Sequence, residues 1–174
     1  EGMIRSRVVY QRNFDGSPIV APLVVSNGGA SLEYRVFNRD SSTNGSWLSF
    51  DTESGGESRA GVNLSAGWYD IIVRNKATQA QVQRIEKVGV GDVFVVAGQS
   101  NSENFGTTNP GQVVDERVSA YILNADDWFL GEDPQTNRGA WSQTGASPWS
   151  YFGNYYSQCT NAPVHILSVG WGSS

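Results

Sequence analysis

Between residues 3 and 88 apolar and polar positions alternate in short runs separated by turn residues. The runs are Ile4 to Tyr10, Ile19 to Val25, Leu32 to Phe37, Trp47 to Phe50, Gly61 to Leu64, Trp68 to Val73 and Val82 to Val88. Between them lie Asp15-Gly16-Ser17-Pro18, Asn27-Gly28-Gly29, Asp40 to Gly45, Ser54-Gly55-Gly56 and Ser65-Ala66-Gly67. A period of two marks a strand with one buried face, and no helical period intervenes. The pattern predicts an all-β antiparallel sandwich of about seven strands. There is no Cys…Trp…Cys spacing, so a true immunoglobulin domain is not implied.

After Val88-Gly89-Val90-Gly91 the period changes. Asp92 to Ala97 is a continuous apolar run, the mark of a strand buried on both faces. Arg117 to Leu123 and Val164 to Val169 predict two more strands. Ser147, as N-cap, and Pro148, at the first helical position, predict a helix from Trp149 to Gln158. Strand, helix and strand in this rhythm predict a parallel α/β sheet. Asn124 to Ala146 shows no regular period, and loops of that length are often functional. The expected division is therefore a β-sandwich accessory domain over 1–88 and an α/β domain over 89–174. Three strands are few for a domain, so the second part reads as the N-terminal piece of a larger unit.

Charge and composition narrow the function classes. The 174 residues carry a net charge of −5, and the Arg residues that make up most of the basic side chains are scattered. No basic stripe for nucleic acid or anionic lipid results. No apolar stretch approaches the roughly 18 residues of a membrane span. Glu1-Gly2 reads as an expression remnant before Met3, and no leader pattern follows it. Cys159 is the lone cysteine, which excludes an intrachain disulfide and a Cys-based zinc site. Six Trp and seven Tyr fit an aromatic-packed protein, and also sugar binding.

The candidate chemistry lies in Gly98-Gln99-Ser100-Asn101, directly after the strand Asp92 to Ala97. A strand that stops, a turn on Gly98 and a serine at the start of a helix put a hydroxyl at the carboxyl edge of the sheet, where open α/β folds bind ligands. The serine N–H and the positive end of the next helix can then stabilise an oxyanion. The Gly-x-Ser-x-Gly elbow does not fit, because Ser102 stands where its second glycine would be. No Gly-Lys-Ser/Thr follows, so this is no P-loop, and Gly89-x-Gly91 precedes its strand, so it is no dinucleotide loop.

The block Val90-Gly91-Asp92-Val93-Phe94-Val95-Val96-Ala97-Gly98-Gln99-Ser100-Asn101 resembles the first block of the SGNH hydrolases. The match is to the branch with Gly-Gln-Ser-Asn, the sialate O-acetylesterase-like and acetylxylan-esterase-like carbohydrate esterases. Ser147 to Asn154 and Pro163 to Ser174 resemble that family's helix and second block. Trp171 here separates two glycines that are adjacent in the usual Gly-Gly-Thr or Gly-Gly-Ser. The resemblance covers residues 88–174 and implies a flavodoxin-like three-layer α/β sheet, incomplete in this chain. It implies a serine esterase that removes O-acetyl groups from a carbohydrate without metal or cofactor. Ser100 would be the nucleophile, and the Ser100 and Gly172 N–H groups would be oxyanion donors. Gln99 and Asn101, flanking the nucleophile, are substrate-binding candidates beside their structural roles. The activating His, with Asp three residues before it, belongs to a later block. The implied partners are an acetylated carbohydrate and the C-terminal remainder of the protein, as a second chain or fragment.

The other candidates carry plainer readings. His165 is the single histidine and sits in an apolar strand with Ala162 three residues before it, which reads as a core or strand-end residue. Asp115, Asp126, Asp127 and Asp133 cannot replace a histidine base unaided. Asp126-Asp127 with Glu132-Asp133 lacks EF-hand spacing and reads as a solvated loop. Trp128 and Trp141, in the long loop, are candidates to stack on a sugar; Trp149 and Tyr151, on the helix, read as core packing. Two functions follow: a secreted or surface-displayed carbohydrate esterase of bacterial or phage origin, or a glycan-binding or adhesion module with a degenerate hydrolase domain.

Overall fold

The computed structural model describes residues 4–98, 102, 114–122, 125–133 and 146–169. The protein is mostly β-sheet, with a single α-helix among the described residues, and the chain divides into two compact units, Glu1–Val90 and Gly91–Ser174.

The first unit holds two sheets. β2 (Ile19–Ser26), β6 (Thr52–Ser54) and β7 (Glu57–Leu64) form one, in the order β2-β7-β6 and antiparallel throughout. Alternation decides their inner face: Ala21, Leu23 and Val25 of β2 and Ala60, Val62 and Leu64 of β7 are buried. Pro22 is tolerated because β2 is an edge strand, where a missing N–H breaks no ladder. In the other sheet β3 (Leu32–Asn38) pairs antiparallel with β8 (Gly67–Asn75), and β8 with β9 (Gln81–Val96). β1 (Val9–Gln11) joins β9, while β4 (Thr43–Asn44) and β5 (Leu48–Ser49) join β3. The run beginning at Ile4 contributes a strand only over Val9–Gln11.

Asp70, fully buried on β8, shows how this unit tolerates a charge. Burial pushes its pKa up, but the Lys87 N–H at 3.0 Å, Arg84 at 2.5 Å and Arg39 at 2.7 Å outweigh that and hold it below the usual carboxylate value. A buried carboxylate with every partner in place keeps its ionised form.

β9 serves both units. Residues 81–90 pair with β8, and Asp92 to Val96 pair in parallel with β12 (Val164–Ser168). The glycines at 89 and 91, read from the sequence as a break, lie inside this one strand. Gly91 is there because of a close approach: a Cβ on it would stand 1.9 Å from the Pro163 carbonyl oxygen, which accepts the Asp92 N–H at 2.9 Å.

In the second unit β12 also pairs in parallel with β10 (Val118–Ile122), and β10 pairs antiparallel with β11 (Asp127–Leu130), so the sheet is mixed. β11 corrects the expectation of an irregular Asn124–Ala146 loop. Its pattern is short and polar at Asp126-Asp127, and its partner β10 supplies what its own residues do not signal. α1 (Trp149–Thr160) packs Trp149, Phe152 and Tyr156 on Val96, Val114, Val118, Val164 and Ile166. Phe94 meets Phe152 and Tyr156 edge-on, each at 4.9 Å between centroids. Tyr151, expected in the core, is 48% exposed. No helix among the described residues is long and apolar enough to cross a membrane.

The start of α1 differs from the Ser147 cap read from sequence. Pro148 occupies the N-cap position, and Asp133 supplies the anion. Its carboxylate accepts the Ser147 N–H at 3.1 Å and the Ser147 and Ser150 hydroxyls at 2.7 Å each. A carboxylate beside a helix N-terminus is favoured by the helix dipole and by the unpaired first-turn groups. Asn161, at φ 52°, ends the helix in a left-handed cap.

Candidate active site

The carboxyl ends of β9 and β12 form the candidate site. Parallel pairing sets Ser168 opposite Val96, and the Val169 N–H donates to the Val96 carbonyl at 2.8 Å. Parallel neighbours end at the same sheet edge, where the following segments start together. Gly98 turns the chain away from β9 at φ 153°, a conformation that disfavours a side chain. Past the turn, Ser102 is buried, and its carbonyl accepts the Ser168 hydroxyl at 2.9 Å. Gly98 and Ser102 thus bracket the Gln99-Ser100-Asn101 triplet, and Ser102 is tied to the end of β12. Sequence reading used Ser102 only to exclude a motif; its anchoring role depends on a partner 66 positions away.

Ser100, Gln99, Asn101, Trp141 and Gly172 lie outside the described residues. Trp128 is half-buried on β11, its ring tilted against Tyr121 at 5.0 Å. Opposed residues of an antiparallel pair share a face, so the register Tyr121 to Trp128 accounts for this contact.

The acidic candidates are all engaged. Asp115 is held below the usual carboxylate pKa, chiefly by its hydrogen bonds with the Arg117 side chain. Asp126 accepts the Tyr121 hydroxyl at 2.5 Å, Asp127 accepts the Trp128 N–H at 3.0 Å, and Asp133 holds Ser147 and Ser150 at the start of α1. Each has a structural task that explains its place.

His165 is 5% exposed on β12, and its Nδ1 has no hydrogen-bond partner. Burial depresses its pKa from 6.5 to about 4, against the opposing hydrogen bond with the Ser119 backbone. The folded protein therefore keeps it neutral while the unfolded chain still protonates it near 6.5. Stability is full above that pH and falls as pH drops from about 6.5 to 4. The loss should be about 3 kcal/mol, from roughly 1.36 kcal/mol per pKa unit. Urea unfolding at pH 7 and pH 4 measures it, and His165→Gln should lack this component. An equal pH dependence in the variant would remove His165 as the cause.

No protein-family model and no curated protein matches this chain. Among solved structures, the chain is similar to a carbohydrate acetylesterase from Xanthomonas citri, with a TM-score of 0.54 and 14% sequence identity. The likeness covers 97% of this chain and spans 39% of that one. At that identity, it establishes a shared fold.

Proposed function

We propose that this chain carries the nucleophile-bearing part of a serine esterase that removes O-acetyl groups from a carbohydrate. In this reading it belongs to the Gly-Gln-Ser-Asn branch of the SGNH hydrolases. Residues 1–88 are a β-sandwich accessory domain and 89–174 the first part of a flavodoxin-like esterase domain. The observation that carries the reading is the parallel pairing of β9 with β12. The paired residues fall within the two sequence blocks of the resemblance, Val90 to Asn101 and Pro163 to Ser174. The fold shared with a carbohydrate acetylesterase supports the same reading.

Ser100 Oγ attacks the acetyl carbonyl carbon and gives its proton to a base. The Ser100 and Gly172 N–H groups hold the oxyanion, each contributing about 3 kcal/mol. The bond from the carbonyl carbon to the sugar oxygen breaks, and that oxygen takes the proton. Water then hydrolyses the acetyl-enzyme to acetate and restores Ser100. Gln99, Asn101, Trp128 and Trp141 contact the sugar. The scheme needs no metal or cofactor.

His165 is unsuited as the base, being buried and too weakly basic. The base is instead a His with its Asp on the C-terminal remainder of the protein, as a further chain or fragment. Because acetylated polysaccharides lie outside cells, the reading extends to a secreted or surface-displayed bacterial or phage enzyme.

The test is acetate release from acetylated polysaccharides by the complete polypeptide, compared with p-nitrophenyl esters of rising chain length. Acetyl should be preferred over octanoyl. Preference for acyl chains of eight carbons or more would make the enzyme lipase-like, and no turnover at all would favour a glycan-binding module.

A further inference from the structure

The turn between β1 and β2 holds an aromatic ring in open water. Phe14 is 96% exposed, yet the loop around it is locked by its own side chains. Asp15 Oδ1 accepts the Ser17 N–H at 2.9 Å and the Ser17 hydroxyl at 2.6 Å. Asn13 Nδ2 donates to Ser17 Oγ at 3.0 Å and to the Pro18 carbonyl at 3.1 Å, and the Gly16 N–H donates to the Asn13 carbonyl at 3.1 Å. A loop already ordered adds little entropic cost when it meets a ligand.

Beside Phe14 is a shallow pocket of about 260 Å³ lined by Arg12, Asn13, Phe14, Gly16, Ser17 and Ala66. Pockets that enclose drug-sized ligands run from roughly 300 to 1,000 Å³, so this one suits a single ring. Two of its lining residues, Gly16 and Ala66, are small. The Asn13 side chain uses Nδ2 for the loop's hydrogen bonds, and its Oδ1 remains an acceptor. Arg12, whose guanidinium carries five N–H donors, also lines the pocket, while the Ser17 hydroxyl is committed to Asp15 and Asn13. A pyranose ring has one C–H face that packs on an aromatic ring, and hydroxyls that require donors and acceptors at its edge. A protein partner needs roughly 800 Å² of surface on each side, which one ring and one small pocket do not offer.

We propose that this pocket is a glycan-binding subsite of the first unit, holding one pyranose ring of a polysaccharide against Phe14. It rests on the carbohydrate reading above and deepens it: the accessory unit grips the polymer whose acetyl groups the second unit removes.

The experiment screens the complete polypeptide against an array of pyranose oligosaccharides and against acetylated xylan and glucomannan by affinity electrophoresis. Phe14→Ala should weaken binding tenfold or more, and Phe14→Trp should retain it. Tyr155→Ala, which removes an aromatic side chain 71% exposed on α1, should bind as the parent does. Because Phe14 touches solvent almost everywhere, the melting temperature of Phe14→Ala should match the parent. Binding to no glycan, or equal binding by the parent and Phe14→Ala, overturns the subsite. A change in self-association without a change in glycan binding also overturns it, and makes the loop a protein contact. Parent turnover of p-nitrophenyl acetate is read alongside. Its absence, with Phe14-dependent glycan binding intact, would sink the esterase reading and leave the subsite standing.

Discussion

Ser100→Ala in the complete enzyme should lower kcat by at least three orders of magnitude, with a far smaller change in KM. A nucleophile, its base and the oxyanion donors act as a unit, so losing the attacking oxygen removes covalent catalysis altogether. What survives is the rate that binding and oxyanion stabilisation sustain alone. Steady-state turnover of p-nitrophenyl acetate measures the effect, and a serine-directed inhibitor should label the parent but not the variant. Retention of more than about a tenth of the activity would show that another group attacks the ester.

The largest structural effect should come from Gly91→Ala. The new methyl group would stand 1.9 Å from the Pro163 carbonyl oxygen, and backbone cannot swing aside as a side-chain tip can. Either β9 or the Pro163 segment must shift, which lengthens the 2.9 Å bond from the Asp92 N–H and disturbs the first rung of the β9–β12 pair. Overpacking typically costs 1–3 kcal/mol, and a clash with backbone falls at the upper end, about 3 kcal/mol. Urea denaturation reads it directly. A loss under about 1 kcal/mol would mean that the two segments separate easily.

These two predictions draw on different information. The role proposed for Ser100 comes from a motif, a string of neighbours along the chain. The importance of Gly91 was invisible there, because glycine in a strand reads as a break or a bulge until a second segment is placed against it. Asp133 is a similar case. In the sequence it is one acid in a polar stretch; in the fold it receives three hydrogen bonds from the start of α1, and its nearest such partner is 14 positions on.

Local pattern was enough where the interaction it reports is local. Alternation in Ile19 to Val25 and continuity in Asp92 to Ala97 fixed those segments as strands, since burial of one face or two follows from the side-chain period. Ser147 and Pro148 signalled α1 for the same reason, although Pro148 and not Ser147 takes the N-cap position. His165 was legible as a core residue from its apolar flanks.

Long-range pairing decided the rest. Trp128 lies on a strand because Tyr121 and its neighbours offer a ladder, and strand formation depends on such a partner. The parallel register of β9 and β12, the Ser102–Ser168 tie and the locked loop that exposes Phe14 are likewise tertiary facts. The sequence by itself determined most of the strands and the helix, and it singled out Ser100 for the proposed chemistry, because period and motif are properties of adjacent residues. Only the tertiary structure decided which strand ends lie together, which acids are engaged and where glycine is obligatory, because each of these is set by the approach of segments far apart in the chain.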